Sequence, residues 1–156
     1  MAILNRRSML LSAASLGAVA AFPLRAETLP PIHVAKGTDC ECCTAWVEHL
    51  RTEGFTVTEE ELYGMLQINY KLDNGIPQRM TSCHTGKVDG FMIEGHVPAA
   101  DIRRLLRERP DAIGLAVPGM PYGSPGMGDE ASRDAYDVFL IARDGKTSVF
   151  TAYPET

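Results

Sequence analysis

Three of the four cysteines of the chain lie within four positions, as Cys40, Cys42 and Cys43 in the stretch TDCECCTAW. A cysteine thiolate is both a nucleophile and a soft metal ligand, so this spacing allows two kinds of chemistry. Cys40 and Cys43 form a C-x-x-C pair, which would permit thiol–disulfide exchange. Cys42 adds a thiol that exchange does not need. Together with Cys83, the three form a set of soft donors of the kind that Cu(I) prefers.

Other uses of four cysteines fit this spacing less well. Structural zinc sites usually combine two separated C-x-x-C pairs, and iron–sulfur proteins have their own spacings, which are also absent here. Two structural disulfides are a further alternative for a small exported domain. Three cysteines crowded into one turn would, however, cross-link little of the chain. We therefore favour metal binding over exchange and keep both hypotheses.

Further donors follow later in the chain. Cys83 and His84 are neighbours in TSCHTG, just before a predicted strand, and His96 lies in IEGHVP at a predicted strand-to-helix corner. Imidazole is a good copper ligand, which makes both histidines candidates. Met120 and Met127 bracket the loop segment GMPYGSPGM, where a thioether can act as a soft ligand. Ordinary hydrogen bonding for the histidines and loop packing for the methionines are the alternatives.

The cysteine turn should lie at the start of a helix. Residues 32–36 predict a short strand that ends at Gly37, and a helix follows that Thr38 or Asp39 can cap and that Gly54 ends. Its predicted buried stripe consists of Cys43, Trp46, Val47 and Leu50. At a helix N-terminus, unpaired N–H groups and the helix dipole favour thiolates. Trp46 is interpreted as the core anchor of this helix.

The rest of the chain alternates predicted strands and helices. We expect a strand at 55–59, a helix at 61–75, a strand at 87–97, a helix at 98–110, a Gly- and Pro-rich loop at 114–135 and a hairpin at 136–153 around Asp144-Gly145. The apolar faces of the two later helices are predicted from Leu62, Met65, Leu66, Asn69 and Leu72, and from Ile102, Leu105 and Leu106. This order indicates an α/β, thioredoxin-like fold, with a central mixed sheet flanked by helices and a C-terminal β-hairpin.

Two registers are open for this fold. In a thioredoxin-like fold, the loop that enters the third core strand lies against the cysteine turn, so Cys83 would complete a four-sulfur site there. The other register places Pro77, in NGIPQ, opposite the turn. Because extended chain rises about 3.3 Å per residue, Cys83 would then lie roughly 20 Å away, too far to share a metal.

Two acidic residues lie near the start of the third helix. Glu94 and Asp101 are interpreted as negative charges that interact favourably with the dipole of this helix at its first turn. Hydrogen bonding to metal ligands is the alternative. No serine–histidine–acid order, phosphate-binding glycine motif or HExxH occurs in the sequence, so it gives no basis for a hydrolase or a nucleotide enzyme.

The first 26 residues resemble an export signal. Arg6 and Arg7 form a twin-arginine pair, and the apolar run 9–22 is shorter than the about 20 residues that cross a bilayer. We expect cleavage after Ala20 or Ala26 and a periplasmic domain at 27–156, with a membrane anchor as the alternative. Loss of residues 1–26 removes three arginines and no acid, so the formal charge changes from -5 to -8. Such an acidic domain should bind neither nucleic acid nor anionic membranes.

Four segments together resemble a known family. They are DCECCTAWVEHLRTEGF, GIPQRMTSCHT, IEGHVPAADIRRLL and LAVPGMPYGSPGM, and they are similar to periplasmic copper-resistance proteins often called CopG, which are distinct from the DNA-binding repressor of that name. The resemblance spans roughly residues 32–153. It implies a thioredoxin-like domain that binds copper in the periplasm and contributes to copper resistance. Interconversion of Cu(I) and Cu(II) is a candidate activity of such a domain.

The resemblance also implies a ligand set. Cys40, Cys42, Cys43 and Cys83 would be the copper thiolates, and His84, His96, Met120 and Met127 are candidates nearby. Four thiolates with further donors nearby exceed the needs of a single Cu(I). We therefore expect that more than one ion could bind. Copper ions and other periplasmic copper-handling proteins are the expected partners. A thiol–disulfide oxidoreductase that uses the C-x-x-C pair is the alternative function, and whether the protein is an enzyme stays open.

Overall fold

The computed structural model of the protein describes residues 28–156, so the predicted signal segment and its cleavage sites lie outside the described residues. Seven strands and three helices follow one another along this part of the chain. In chain order they are β1 (Ile32–Lys36), α1 (Glu41–Thr52), β2 (Val57–Glu61), α2 (Met65–Asp73), β3 (His84–Val88), β4 (Phe91–Glu94), α3 (Ala99–Glu108), β5 (Ala112–Ala116), β6 (Tyr136–Ala142) and β7 (Thr147–Tyr153).

All seven strands belong to one mixed sheet with the order β2-β1-β3-β4-β5-β6-β7. The pairs β1–β2 and β4–β5 are parallel, and every other neighbouring pair is antiparallel. The predicted α/β class, the central mixed sheet and the C-terminal hairpin β6–β7 are confirmed. The part β2-β1-β3-β4, in which β3 runs against the other three strands, is compatible with a thioredoxin-like fold.

The larger core lies between the sheet and the pair α1 and α3. Alternate strand residues such as Ile32 and Ile93 face this side, as expected for a period of two in a strand. Trp46, at the centre of α1, is fully buried there, and its Nε1 donates to the backbone oxygen of Val97 at 2.9 Å. The hydrogen bond satisfies the polar atom of the indole inside the core, which confirms Trp46 as the anchor of α1.

The opposite face of the sheet carries α2 and a smaller core around Ile76, Met92 and Ile141. Here the packing of α2 differs from the prediction made from its apolar spacing. Met65 and Leu66, which the helical spacing places on the apolar face, are 65% and 63% exposed. The residue of α2 that is buried is Lys71. This helix therefore packs through the side that carries Lys71 and Tyr70 and leaves the predicted apolar side in solvent.

Two predicted segments differ in type from the structure. The segment 87–97 is not one strand, because Asp89 and Gly90 both adopt positive φ and form a turn between β3 and β4. Strand β5 also occupies the beginning of the segment predicted as a loop. Its Gly114 has no room for a side chain, since an added Cβ would overlap the backbone oxygen of Met92 on β4. A glycine that signals a loop in sequence here allows two strands to approach closely.

Within the described residues, no helix combines the length and the apolar character needed to span a membrane.

Candidate metal centre

The cysteine turn connects the end of β1 to the start of α1. Cys40 occupies the N-cap position, one residue after Asp39, whose φ of 55° is left-handed. Neither Thr38 nor Asp39 caps the helix with its side chain, which corrects that prediction. The turn places all three cysteine side chains within the first residues of α1.

A disulfide joins Cys40 to Cys43, and Cys42 and Cys83 are free. In this state two of the four predicted thiolates are therefore bonded to each other. Cys43 is fully buried, whereas Cys42 is half-buried, with its Sγ 3.6 Å from that of Cys40. The turn thus presents one free thiol beside one disulfide.

Cys83 reaches the same place from β3, the strand next to β1. The antiparallel register of β1 and β3 pairs Lys36 with His84, so the residue before β3 lies beside the cysteine turn. The Sγ of Cys83 is 3.8 Å from that of Cys42. The sulfur atoms of all four cysteines lie within 4.8 Å of one another. This is the register in which Cys83, rather than Pro77, meets the turn.

Two buried imidazoles contact the Cys83 thiol. Its Sγ lies 3.3 Å from Nδ1 of His84 and 3.2 Å from Nε2 of His96. Both histidines are fully buried, His84 at the start of β3 and His96 at the corner between β4 and α3. Cys83 therefore belongs both to the group of four sulfurs and to a Cys-His-His group.

The second ring nitrogen of each histidine has a different environment. Nδ1 of His96 is 2.8 Å from the backbone oxygen of Pro125, to which it can donate, and this leaves the Nε2 lone pair toward Cys83. A histidine fixed by a backbone carbonyl in this way is typical of metal ligands. Nε2 of His84 is buried without a hydrogen-bond partner among the described residues. Such an unsatisfied atom is uncommon and often marks a functional site.

Burial controls the protonation of these groups. It lowers the pKa of His84 well below 6.5, with further contributions from His96 and Lys71, and it also lowers the pKa of His96. Burial, together with the nearby Cys42, raises the pKa of the Cys83 thiol to about 11. At neutral pH the imidazoles are therefore neutral and Cys83 is a thiol. A metal that binds here meets two available nitrogen ligands and must displace a proton from sulfur.

The loop 117–128 covers one side of the site. An added Cβ at Gly126 would lie 2.7 Å from the backbone nitrogen of Trp46 and 2.8 Å from the oxygen of Cys42, so this loop touches the first turns of α1. The neighbouring Pro125 accepts from His96. Met127, the residue after Gly126, is half-buried, whereas Met120 is 55% exposed. The proposed role of the two thioethers as ligands stays a prediction.

A cavity of about 610 Å³ opens beside the thiols. Cys40 and Cys83 line it from the sheet side, and Gln67, Ile68 and Lys71 of α2 line it from the other. The sulfur cluster is therefore reached from solvent between the cysteine turn and α2.

The donor set fits a soft or borderline metal ion. Free thiols at Cys42 and Cys83 and imidazoles at His84 and His96 are ligands that copper accepts, and no carboxylate belongs to either ligand group. Oxygen-seeking ions such as Mg²⁺ or Ca²⁺ would lack their usual ligands here.

Two solved structures, named copper resistance protein copG forms 1 and 2, are similar to this chain over almost all of their length. They are 47% and 46% identical to it with a TM-score of 0.75 each, covering 81% of this chain and 99% or 100% of theirs. This chain belongs to the CopG family of copper-resistance proteins. A family described as "Protein of unknown function, DUF411" matches residues 80–127. Among curated proteins, none matches.

In this CopG-family chain, the polar residues that support the site were not predicted from the sequence. Gln67 and Lys71 lie on the inner side of α2, and Thr85 follows His84 on β3. Glu94 is not in the first turn of α3, as interpreted from sequence, but ends β4 and contacts Lys71. The spacing of Gln67 and Lys71, four residues apart in a helix, is the signal that could have placed them on one face.

Proposed function

We propose that the protein binds copper as Cu(I) through Cys42, Cys83, His84 and His96. One observation carries this proposal: the Sγ of Cys83 lies within 3.8 Å of a second free thiol and 3.2 Å of a neutral imidazole nitrogen. Thiolate is the ligand that favours Cu(I), and imidazole also accommodates Cu(II). Membership of a family of copper-resistance proteins supports the same ion and a role in copper resistance.

Cys40 and Cys43 would join this ligand set after reduction. Reduction of their disulfide by an external dithiol takes up two electrons and two protons, oxidises the dithiol to its own disulfide and yields two more thiols beside Cys42. A site with four thiols could hold more than one Cu(I), whereas the oxidised site has two free thiols. Interconversion of Cu(I) and Cu(II) is the finer part of the proposal, and the mixed sulfur and nitrogen donors support it. The predicted twin-arginine segment supports a periplasmic location, where other copper-handling proteins would be the partners.

A second function is favoured by the disulfide itself. Cys40 and Cys43 form a C-x-x-C disulfide at the start of a helix, and Cys40 lines the cavity that opens to solvent. This arrangement suits thiol–disulfide exchange with a partner thiol. Cys43 is fully buried, so Cys40 would be the sulfur that is attacked.

Two double variants separate the functions. Cys42→Ala/Cys83→Ala keeps the C-x-x-C pair and removes both free thiols. Cys40→Ala/Cys43→Ala removes the C-x-x-C pair and keeps the free thiols of Cys42 and Cys83. Each protein is purified and analysed for copper content and for the rate of insulin reduction. We expect copper in the wild type and its loss from Cys42→Ala/Cys83→Ala, with no insulin reduction by any form. Insulin reduction that depends on Cys40 and Cys43, in protein without copper, would instead support the oxidoreductase.

A further inference from the structure

The carboxylate of Glu94 binds on both sides of the Cys83-His84 dipeptide. The backbone nitrogen of Ser82 donates to Oε1 at 2.6 Å, and the Thr85 hydroxyl donates to Oε2 at 2.6 Å. Glu94 is fully buried and lies opposite Thr85 in the β3–β4 register. A single side chain on β4 therefore holds the backbone immediately before Cys83 and the side chain immediately after His84.

Lys71 of α2 completes this arrangement. Its Nζ donates to Oε1 of Glu94 at 2.7 Å and to the hydroxyl of Thr85 at 2.8 Å. Lys71 is only 5% exposed, so both charges of the pair are removed from water. Burial raises the pKa of the Glu94 carboxyl, and the Lys71 ammonium and the hydrogen bonds to the carboxylate counter this rise. Buried charges persist only when they are paired and hydrogen-bonded in this way.

A third contact comes from the preceding turn of α2. The side-chain nitrogen of Gln67 donates to the backbone oxygen of Cys83 at 2.6 Å. Gln67 and Lys71 are four residues apart and therefore lie on one side of the helix. This explains why α2 turns its polar side inward while Met65 and Leu72 stay exposed, because the inward side is used to hold the segment that carries Cys83.

We propose that Glu94, Lys71 and Gln67 are positioning residues for the copper site. They hold the segment around Cys83 and His84 so that the Cys83 thiol stays in contact with the His84 imidazole and with the Cys42 thiol. None of the three is a copper ligand in this proposal, which rests on the proposed function. Side chains that fix the ligands of a metal in this way preorganise the site and raise its affinity.

The first test is Glu94→Gln, which keeps the shape of the side chain and removes its charge. The amide oxygen can still accept from Lys71 and Ser82, and the amide nitrogen can donate to the Thr85 hydroxyl, but the buried ammonium of Lys71 is left without a counter-charge, which weakens the arrangement. We expect a loss of about 10–100-fold in Cu(I) affinity, the usual effect of changing residues that support metal ligands. Affinity is measured by anaerobic competition with a Cu(I)-specific chelator. Gln67→Ala, at a less buried position, should change affinity in the same direction.

Asp101→Asn is the matched control. Asp101 is also buried and also accepts two side-chain hydrogen bonds, from Thr151 at 2.5 Å and from Tyr153 at 2.8 Å. These partners lie on β7 and not on the segment that carries Cys83. The control should lose stability without losing Cu(I) affinity. Unchanged affinity in Glu94→Gln, or an equal loss in Asp101→Asn, would overturn the proposal.

A second readout needs no copper. The rate at which iodoacetamide alkylates Cys83 in metal-free protein is followed by mass spectrometry, with Cys42 as the internal reference. Glu94→Gln should alkylate severalfold faster at Cys83, relative to Cys42, than either the wild type or Asp101→Asn. An equal ratio in all three proteins contradicts the positioning role. If the wild type binds no Cu(I), the proposed function fails, and this ratio alone then decides whether the three residues position Cys83.

Discussion

Cys42 and Cys83 are 41 residues apart in the chain, yet their Sγ atoms lie 3.8 Å from each other. Neither is part of the disulfide between Cys40 and Cys43. One thiol comes from the start of α1 and the other from the residue before β3, so the pairing depends on the alignment of β1 with β3. The free thiols that support copper binding are therefore brought together by the fold, beside a disulfide that can add two more.

The oxidation state of Cys40 and Cys43 should set how much copper the protein holds. The four sulfurs lie within 4.8 Å of one another in the disulfide form, which offers two thiols, and reduction makes all four available as thiols. We expect the reduced form to bind more Cu(I) per chain in an anaerobic titration followed with a chromogenic chelator. Cys40→Ala/Cys43→Ala should match the oxidised wild type whether or not reductant is present. Equal capacity in both redox states would argue against a contribution from these two sulfurs.

Metal-free protein should lose stability below about pH 6.5. Burial holds the pKa of His84 well below that value in the folded state, whereas the unfolded chain takes up the proton near the ordinary pKa. The unfolded state then binds more protons, so its population rises as pH falls, and the full stability is present only above this window. Urea unfolding in the presence of a metal chelator should show a free energy of unfolding that falls, because of this residue, by up to about 1.4 kcal/mol for each pH unit below the ordinary pKa.

The comparison that isolates this effect is His84→Gln. This variant lacks the titrating group, so its free energy of unfolding should depend less on pH than that of the wild type over the same range. Identical pH profiles for the two proteins would show that His84 is not kept neutral by folding.

Substitution of Gly126 by alanine should cost more stability than the same substitution at Gly119. Both have positive φ, but an added Cβ at Gly126 meets the backbone of α1, while nothing lies within 4 Å of one at Gly119. Both alanine variants therefore carry the strain of a side chain at positive φ, but only the variant at Gly126 adds a steric clash. Gly126→Ala should lower the free energy of unfolding by about 1–3 kcal/mol more than Gly119→Ala, as overpacking usually does. Equal losses would mean that the loop 117–128 can move away from α1.

Two leucines test the unusual orientation of α2. Leu66 is 63% exposed, and Leu50 on α1 is fully buried, although both belong to predicted apolar stripes. Leu66→Ala should change the free energy of unfolding by no more than about 0.5 kcal/mol. Leu50→Ala should cost about 2–5 kcal/mol because it leaves a cavity. A large loss at Leu66, measured by urea unfolding, would indicate that the apolar side of α2 is covered in solution.

Local patterns predicted the parts of the fold in which one face of an element is buried. The stripe Cys43, Trp46, Val47 and Leu50 is buried as expected, and Asp144-Gly145 forms the turn of the last hairpin. The same dipeptide at Asp89-Gly90 forms the turn between β3 and β4, but the strand before it has the sequence HTGKV, with one aliphatic residue, so the first arm of this hairpin was not predicted. Helix α2 could not be oriented from its apolar spacing, because its packing depends on Gln67 and Lys71 and their partners in distant parts of the chain.

In the candidate site, too, some residues could be predicted from the sequence and others depend on the fold. The clustering of Cys40, Cys42 and Cys43 is visible in the sequence, and the fold brings Cys83, His84 and His96 to it. The disulfide could not be deduced from spacing, since any two of the four cysteines are candidates for pairing. Glu94 was given a different role because its partners, Ser82, Thr85 and Lys71, meet it only through the β3–β4 register and the packing of α2.

The most direct test of the copper site is an anaerobic Cu(I) titration of fully reduced wild-type protein beside Cys83→Ala. Cys83 is the residue that both ligand groups share, so its loss removes the link between the sulfurs and the two imidazoles. We predict a clear fall in the amount of Cu(I) bound and a loss of affinity beyond the about 10–100-fold typical of supporting residues. Unchanged capacity and affinity in Cys83→Ala would contradict the account.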